Sequence, residues 1–125
     1  MKKYLVDTCI LVDHLRNNAK ATEFLRQENL VISAVTVAEL LQGARNLKEQ
    51  QLIEVLTNQF EINWFSSLIG RQAIQLLGKY FLKYGLHFLD ALIAATALIE
   101  NLIVVTHNTK HFRFIKKLKI VSFPQ

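Results

Sequence analysis

One cysteine, one proline and four glycines in 125 residues leave the chain short of everything that staples, breaks or loosens a fold. Cys9 has no partner for an intramolecular disulfide, which excludes a disulfide-framed secreted domain and makes a reducing cytoplasm the expected location. With Pro and Gly this scarce and 51% of the residues hydrophobic, disorder is excluded in favour of a packed core. Long apolar runs are also missing, so no segment is long enough to span a membrane. Lys2-Lys3 precede apolar residues as in a signal peptide, but Asp7 and Asp13 interrupt the run before it is long enough to act as one. Acids are outnumbered, ten against fifteen Lys and Arg. The resulting net charge of +5 favours a polyanionic partner and says nothing about fold. The length suits one domain over residues 1–125.

What is present alternates. Tyr4-Leu5-Val6 reads as a short buried strand, Asp7 stops it, and Thr8 reads as the N-cap of a helix on Ile10, Leu11, His14 and Leu15. A short amphipathic helix is expected over 21–27, a strand over Leu30-Val31-Ile32, and helices over 34–44 and 48–60, the latter on Leu52, Ile53, Leu56 and Phe60. Residues 61–65 alternate as a strand would. Ser66-Ser67 cap a long helix to Lys83, with Leu68, Ile69, Ala73, Leu76, Leu77 and Phe81 inward and Gly85 as its stop. Residues 88–100 form a helix apolar nearly all round, strands follow over 102–105 and 118–121, and a short turn surrounds His111-Phe112. Strands alternating with helices imply an α/β fold with a parallel sheet covered on both faces.

Three of the ten acids sit among apolar residues: Asp7 at a strand end, Glu39 inside 34–44, and Asp90 opening the apolar helix. Each alone has a structural explanation. Asp7 can bond the amides of its following helix, Thr36-Val-Ala-Glu39 has the spacing of a capping box, and Asp90 lies where a helix favours negative charge. Together they would meet at one edge of a parallel sheet, where buried carboxylates repel one another unless a cation lies between them. Oxygen ligands alone suit Mg²⁺ or Mn²⁺, and such an ion assists phosphodiester hydrolysis. From His107 to Lys119 the chain carries Lys110, Arg113, Lys116, Lys117 and Lys119 without an acid, either a solvated tail or a phosphate-facing patch.

Three stretches in this order, Tyr4-Leu-Val-Asp7-Thr8-Cys-Ile-Leu, Ser33-Ala-Val-Thr-Val-Ala-Glu39-Leu-Leu-Gln-Gly43 and Asp90-Ala-Leu-Ile-Ala-Ala-Thr-Ala-Leu98, resemble PIN-domain ribonucleases, most closely VapC-type toxins. The resemblance spans nearly the whole chain. It implies a three-layer α/β/α sandwich around a parallel sheet, and metal-dependent endonuclease activity on single-stranded RNA that leaves 5′-phosphates. It also implies Asp7 and Asp90 as metal ligands for Mg²⁺ or Mn²⁺. Glu39 would complete the catalytic acids or orient water, and Thr8 would be a supporting hydroxyl. A cognate VapB-type antitoxin and a homodimer are implied as partners, with Phe60, Trp64, Phe65, Tyr80, Phe81 and Tyr84 as candidate contacts. In the family's late motif Thr106 and Asn108 are kept, but His111 stands where members often have a fourth acid. Either His111 is a ligand, in which case Mn²⁺ should serve at least as well as Mg²⁺, or it caps a surface turn. Arg45, Lys110 and Arg113 are candidate phosphate contacts, while His14, His87 and His107 read as structural.

Two other functions fit parts of the pattern. A phosphoacceptor receiver domain shares the size and the acid after the first strand, but the third strand and its end (61–67) offer no second Asp. A catalytically impaired PIN-like module that binds RNA or protein is the alternative suggested by His111.

Overall fold

The computed structural model describes residues 2–124. Five short apolar runs become strands: β1 (Tyr4–Val6), β2 (Leu30–Ser33), β3 (Glu61–Asn63), β4 (Ile103–Thr106) and β5 (Ile120–Ser122). The helices are α1 (Thr8–Leu15), α2 (Ala19–Phe24), α3 (Ala34–Gln42), α4 (Leu47–Thr57), α5 (Ser67–Tyr84) and α6 (Phe88–Glu100), and a 3-10 turn covers Thr109–His111. All strands run parallel in the order β3-β2-β1-β4-β5.

Strand periodicity divides the core into two layers. Leu5, Val31 and Val104 stand in register on one face and pack with Ile69, Ala73, Ala91 and Ala94 of α5 and α6. Val6, Ile32 and Val105 point the other way, onto Ile10, Leu11, Leu40 and Ile53 of α1, α3 and α4. Each such buried aliphatic side chain contributes about 1.5–3 kcal/mol relative to exposure. α6 is apolar nearly all round and enclosed through its middle: Ala91, Ala94, Ala95 and Ala97 are all buried, and their small side chains let α5 and the sheet come close, while Phe88, Leu89 and Ile99 toward its ends are exposed. The architecture is the expected three-layer α/β/α sandwich.

Several local expectations are corrected. Asp7, not Thr8, is the N-cap of α1: its Oδ1 accepts the Thr8 amide at 2.8 Å, and Thr8 is the first helical residue. Thr36 and Glu39 do not form a capping box, since the N-cap of α3 lies three residues earlier at Ser33, whose Oγ accepts the Val35 amide. β3 ends at Asn63, whose side chain accepts the Phe65 amide and turns the chain with Phe65 at φ 77°. In α5 the buried stripe is Ile69, Ala73, Leu76 and Tyr80, so Leu68 and Phe81 face outward and Tyr80 inward. Leu52 of α4 is likewise exposed. Long helices carry more apolar residues than one face can bury, and period alone does not choose between adjacent stripes. Of the six aromatic contact candidates, Tyr80 is buried and Phe60 packs on the core, while Trp64, Phe65, Phe81 and Tyr84 are exposed. No helix among the described residues is long and apolar enough to cross a membrane.

Candidate active site

In a parallel sheet of order 3-2-1-4-5 the connections leave β1 in one direction and reach β4 in the other, which opens a crevice at their carboxyl ends. Asp7 follows β1 and Thr106 ends β4, so the two face each other across that crevice. Thr106 Oγ1 donates to Asp7 Oδ2 at 2.7 Å and accepts the Asn108 amide at 3.0 Å. With Oδ1 taking the Thr8 amide and Oδ2 also meeting the Cys9 thiol at 3.9 Å, the Asp7 carboxylate is held at both oxygens, and Oδ1 keeps a free lone pair.

α3 brings Glu39 in from β2. Thr8 Oγ1 donates to Glu39 Oε1 at 2.6 Å and stands 3.0 Å from Thr36 Oγ1. A carboxylate only accepts, so Thr8 is the donor to Glu39, and the fully buried Thr36 hydroxyl is a second contact of the same Thr8 oxygen. The Thr8 hydroxyl thus joins α1 to α3. Thr36 was missed from the sequence as a site residue, although its i, i+3 spacing to Glu39 already put both on one helix face.

Asp90 enters in the first turn of α6. It accepts no hydrogen bond among the described residues; His111 is its ion-pair neighbour, with Nδ1 3.8 Å from Oδ2. Burial first, and then the charge of Asp7, push its carboxyl above the ordinary carboxylate range; His111 and His87 act in the opposite direction, and Glu39 adds a smaller upward contribution. His87 and His111 line the same cavity as Asp90. Cys9, beside Asp7, is pushed up to about 11 by burial and by the Asp7 charge, which makes it an inert thiol.

Among the described residues no three His, Cys, Asp or Glu side chains form a group that holds a metal by themselves. A hard divalent ion such as Mg²⁺ does not need one, since it binds through one or two carboxylates and completes its shell with water and substrate phosphate. Asp7, with its free lone pair on Oδ1, and the donor-free, half-buried Asp90 fit that requirement.

The remaining candidates scatter. Asn108 is exposed at the start of the 3-10 turn, and its carbonyl accepts the His111 amide. Arg45 is engaged with Glu49 in a fork of contacts at 2.7–3.2 Å, on a groove of ≈ 590 Å³ that also reaches Glu39. Lys110 lines a cavity with Asp90 and His111, whereas Arg113 is simply exposed. Lys116 and Lys117 line a different groove, with Leu98 and Ile99 at the far end of α6, so the basic stretch does not make one patch. Two of the histidines bind other side chains: His14 Nδ1 meets Thr22 Oγ1 at 2.7 Å, and His107 lies between Asp13 and the Phe123 carbonyl.

Comparison with known proteins agrees with this layout. The PIN domain family model matches residues 4–118. Ribonuclease VapC10 of Mycobacterium tuberculosis is 32% identical over 120 residues, covering 92% of this chain and 90% of that protein. Ribonuclease VapC1 of Methanocaldococcus jannaschii is also 32% identical over 120 residues, covering 92% and 82%. Among solved structures, a toxin–antitoxin complex from Klebsiella pneumoniae matches with TM-score 0.80 at 30% identity over 95% of this chain and 96% of that one. VapBC-1 from nontypeable Haemophilus influenzae matches with TM-score 0.80 at 26% identity over 98% of each. A family match across nearly every element, joined to acids gathered at the β1–β4 crevice, means that this chain belongs to the PIN-domain family.

Proposed function

We propose that this chain, acting as one PIN domain, is the toxin of a VapBC-type pair: an endoribonuclease that hydrolyses single-stranded RNA with Mg²⁺ or Mn²⁺. The observation that carries the reading is the contrast among the three acids. Asp7 and Glu39 are oriented by Thr106 and Thr8, while Asp90 faces the crevice with no donor. Asp7 and Asp90 would hold the ion, which when bound would supply positive charge against the developing phosphate charge and ease deprotonation of water.

The chain's own residues do the rest. Glu39, fixed through one oxygen by Thr8, keeps its other oxygen to orient the attacking water and take its proton. Thr106 holds Asp7 against the repulsion of its neighbours. Lys110, at the edge of the site, binds a non-bridging phosphate oxygen. Water attacks phosphorus, the P–O3′ bond breaks, and the products carry a 5′-phosphate and a 3′-hydroxyl. The 2′-hydroxyl takes no part as nucleophile.

The proteins named above supply the argument for a partner. A VapB-type antitoxin segment fits the groove that runs from Glu39 past Leu15, Leu40 and Leu52, an apolar channel ending at an acidic site. The protein works as a homodimer in the cytoplasm. Incubating purified protein with total RNA in EDTA, Mg²⁺ or Mn²⁺, beside Asp7→Asn, tests the activity. Discrete metal-dependent fragments with 5′-phosphates, absent from the variant, are expected. A folded, partner-free protein that cuts nothing would favour the non-catalytic binding module.

A further inference from the structure

Beside Asp90 lies a cavity of ≈ 200 Å³ lined by Tyr84, His87, Asp90, Lys110, His111 and Phe114, of which the hydrolytic chemistry uses only Asp90 and Lys110. Its volume falls below the roughly 300–1,000 Å³ of sites that take drug-sized ligands, so it admits one ring system and not two. Its walls are planar. Tyr84 and Phe114 stack at 4.4 Å with 7° between their planes, a rigid aromatic base, while the imidazoles of His87 and His111 stand at the cavity wall. Neither imidazole makes a hydrogen bond among the described residues. His87 caps α6 without a side-chain bond, and His111 is too far from Asp90 for one, at 3.8 Å. Both therefore keep ring faces and ring nitrogens for a ligand.

We propose that this cavity is a nucleobase subsite: it takes one splayed-out base of the RNA next to the phosphate at the acidic centre, while Lys110 holds the backbone. The inference rests on the ribonuclease reading and names what that site recognises. Single-stranded RNA is read by stacking an unpaired base on aromatic or imidazole planes and bonding its edges, and the cavity supplies both kinds of group. Asp90 belongs to both sites, so a base seated here brings the neighbouring phosphate to the carboxylates. Lys110 distinguishes backbone from base, because its charge acts on phosphate whichever base is bound.

The test is binding, read by fluorescence anisotropy with the catalytically silenced Asp7→Asn protein. The probes are single-stranded RNA decamers of A, C, G and U and an abasic decamer of equal length. At least one homopolymer should bind roughly 5- to 150-fold more tightly than the abasic strand, the span of one base stacked on a protein ring. That advantage should vanish when His87→Ala and His111→Ala are added. Lys110→Ala should weaken every decamer alike, the abasic one included, and reduce the salt slope by about one. His87 and His111 are both exposed, so these substitutions leave the fold intact, and melting curves verify it.

Equal binding of all five decamers, or a preference untouched by the histidine substitutions, overturns the subsite. The cleavage assay on total RNA reports separately on the nuclease. A base preference without cleavage removes the nuclease and keeps the pocket, and cleavage without any preference does the reverse.

Discussion

Two threonine hydroxyls separate the three carboxylates into a positioned pair and a single frustrated acid. Thr106→Val keeps the shape of the side chain but leaves Asp7 Oδ2 and the Asn108 amide without their partner. Losing a hydrogen bond to a charged group costs about 1.5–3 kcal/mol, so a fall of that size in denaturation free energy is expected. RNA cleavage should fall by roughly 10- to 100-fold, as when a ligand's outer partner is removed. Asp90 behaves oppositely. A carboxyl whose folded pKa is raised binds its proton more tightly in the folded state, so its contribution to stability is lost as pH rises from the unfolded value, about 3.9, through the folded one. At neutral pH the ionised group is a net cost in the metal-free protein. Asp90→Asn should therefore raise the melting temperature in EDTA by about 2–6 °C. Adding Mn²⁺ should then stabilise the wild type and not the variant. A variant that melts lower in EDTA would mean that Asp90 serves the helix and not a cation.

At the scale of elements, the crevice depends on how α1 is fastened to the strands beside it. His107, directly after β4, meets Asp13 Oδ2 of α1 through Nε2 at 2.6 Å and the Phe123 carbonyl beyond β5 through Nδ1. The imidazole thus bridges a side chain of α1 and a main-chain carbonyl beyond β5. The clamp ties α1, which follows Asp7, to the loop that carries Thr106 and Asn108. Asp13→Asn and His107→Gln should each destabilise the protein by about 1.5–3 kcal/mol. Their double variant should lose less than the sum, since both substitutions remove one interaction. Additive losses would show that the two groups act independently. Close approach of α6 sets the other side of the crevice, because its four small buried alanines place the first turn, and so Asp90, against the sheet end.

For the whole molecule, strand order decides where chemistry is possible. β1 and β4 lie next to each other although 96 residues of sequence separate the end of one from the start of the other, Val6 from Ile103. Their junction creates the one crevice where Asp7, Glu39 and Asp90 influence each other. The groove beyond Glu39 continues onto α1, α3 and α4, and there Leu52 is 57% exposed with nothing covering it. Leu52→Glu should leave stability within about 0.5 kcal/mol, as exposed substitutions do. It should also weaken co-purification with an antitoxin expressed from the same plasmid while leaving RNA cleavage intact. Unchanged co-purification would place the partner on another surface. A net charge of +5 adds long-range attraction for RNA, and the lysines of the basic stretch are divided between two grooves, Lys110 on one and Lys116 and Lys117 on the other.

Periodicity and punctuation alone determined the succession of strands and helices, the alanine-rich α6 and its Asp90, and three acids set among apolar residues. Local interactions decide these features, so a linear reading reaches them: three-residue apolar runs, Ser66 and Gly85 as helix limits, and carboxylates out of place among aliphatics. Only the tertiary structure decided which hydroxyl holds which acid. Thr8 looked like a cap but supports Glu39 from another helix, Thr36 looked like half of a capping box but touches the Thr8 hydroxyl, and Asp7 took the cap itself. Asp13 and His107 gave no sign of pairing, being 94 residues apart. The outward turn of Phe81, the burial of Tyr80 and the division of the basic stretch were equally hidden. The reason is physical: propensity and spacing act over one turn of helix or one strand, whereas hydrogen bonds between elements depend on strand order, and strand order is settled by packing the whole core at once.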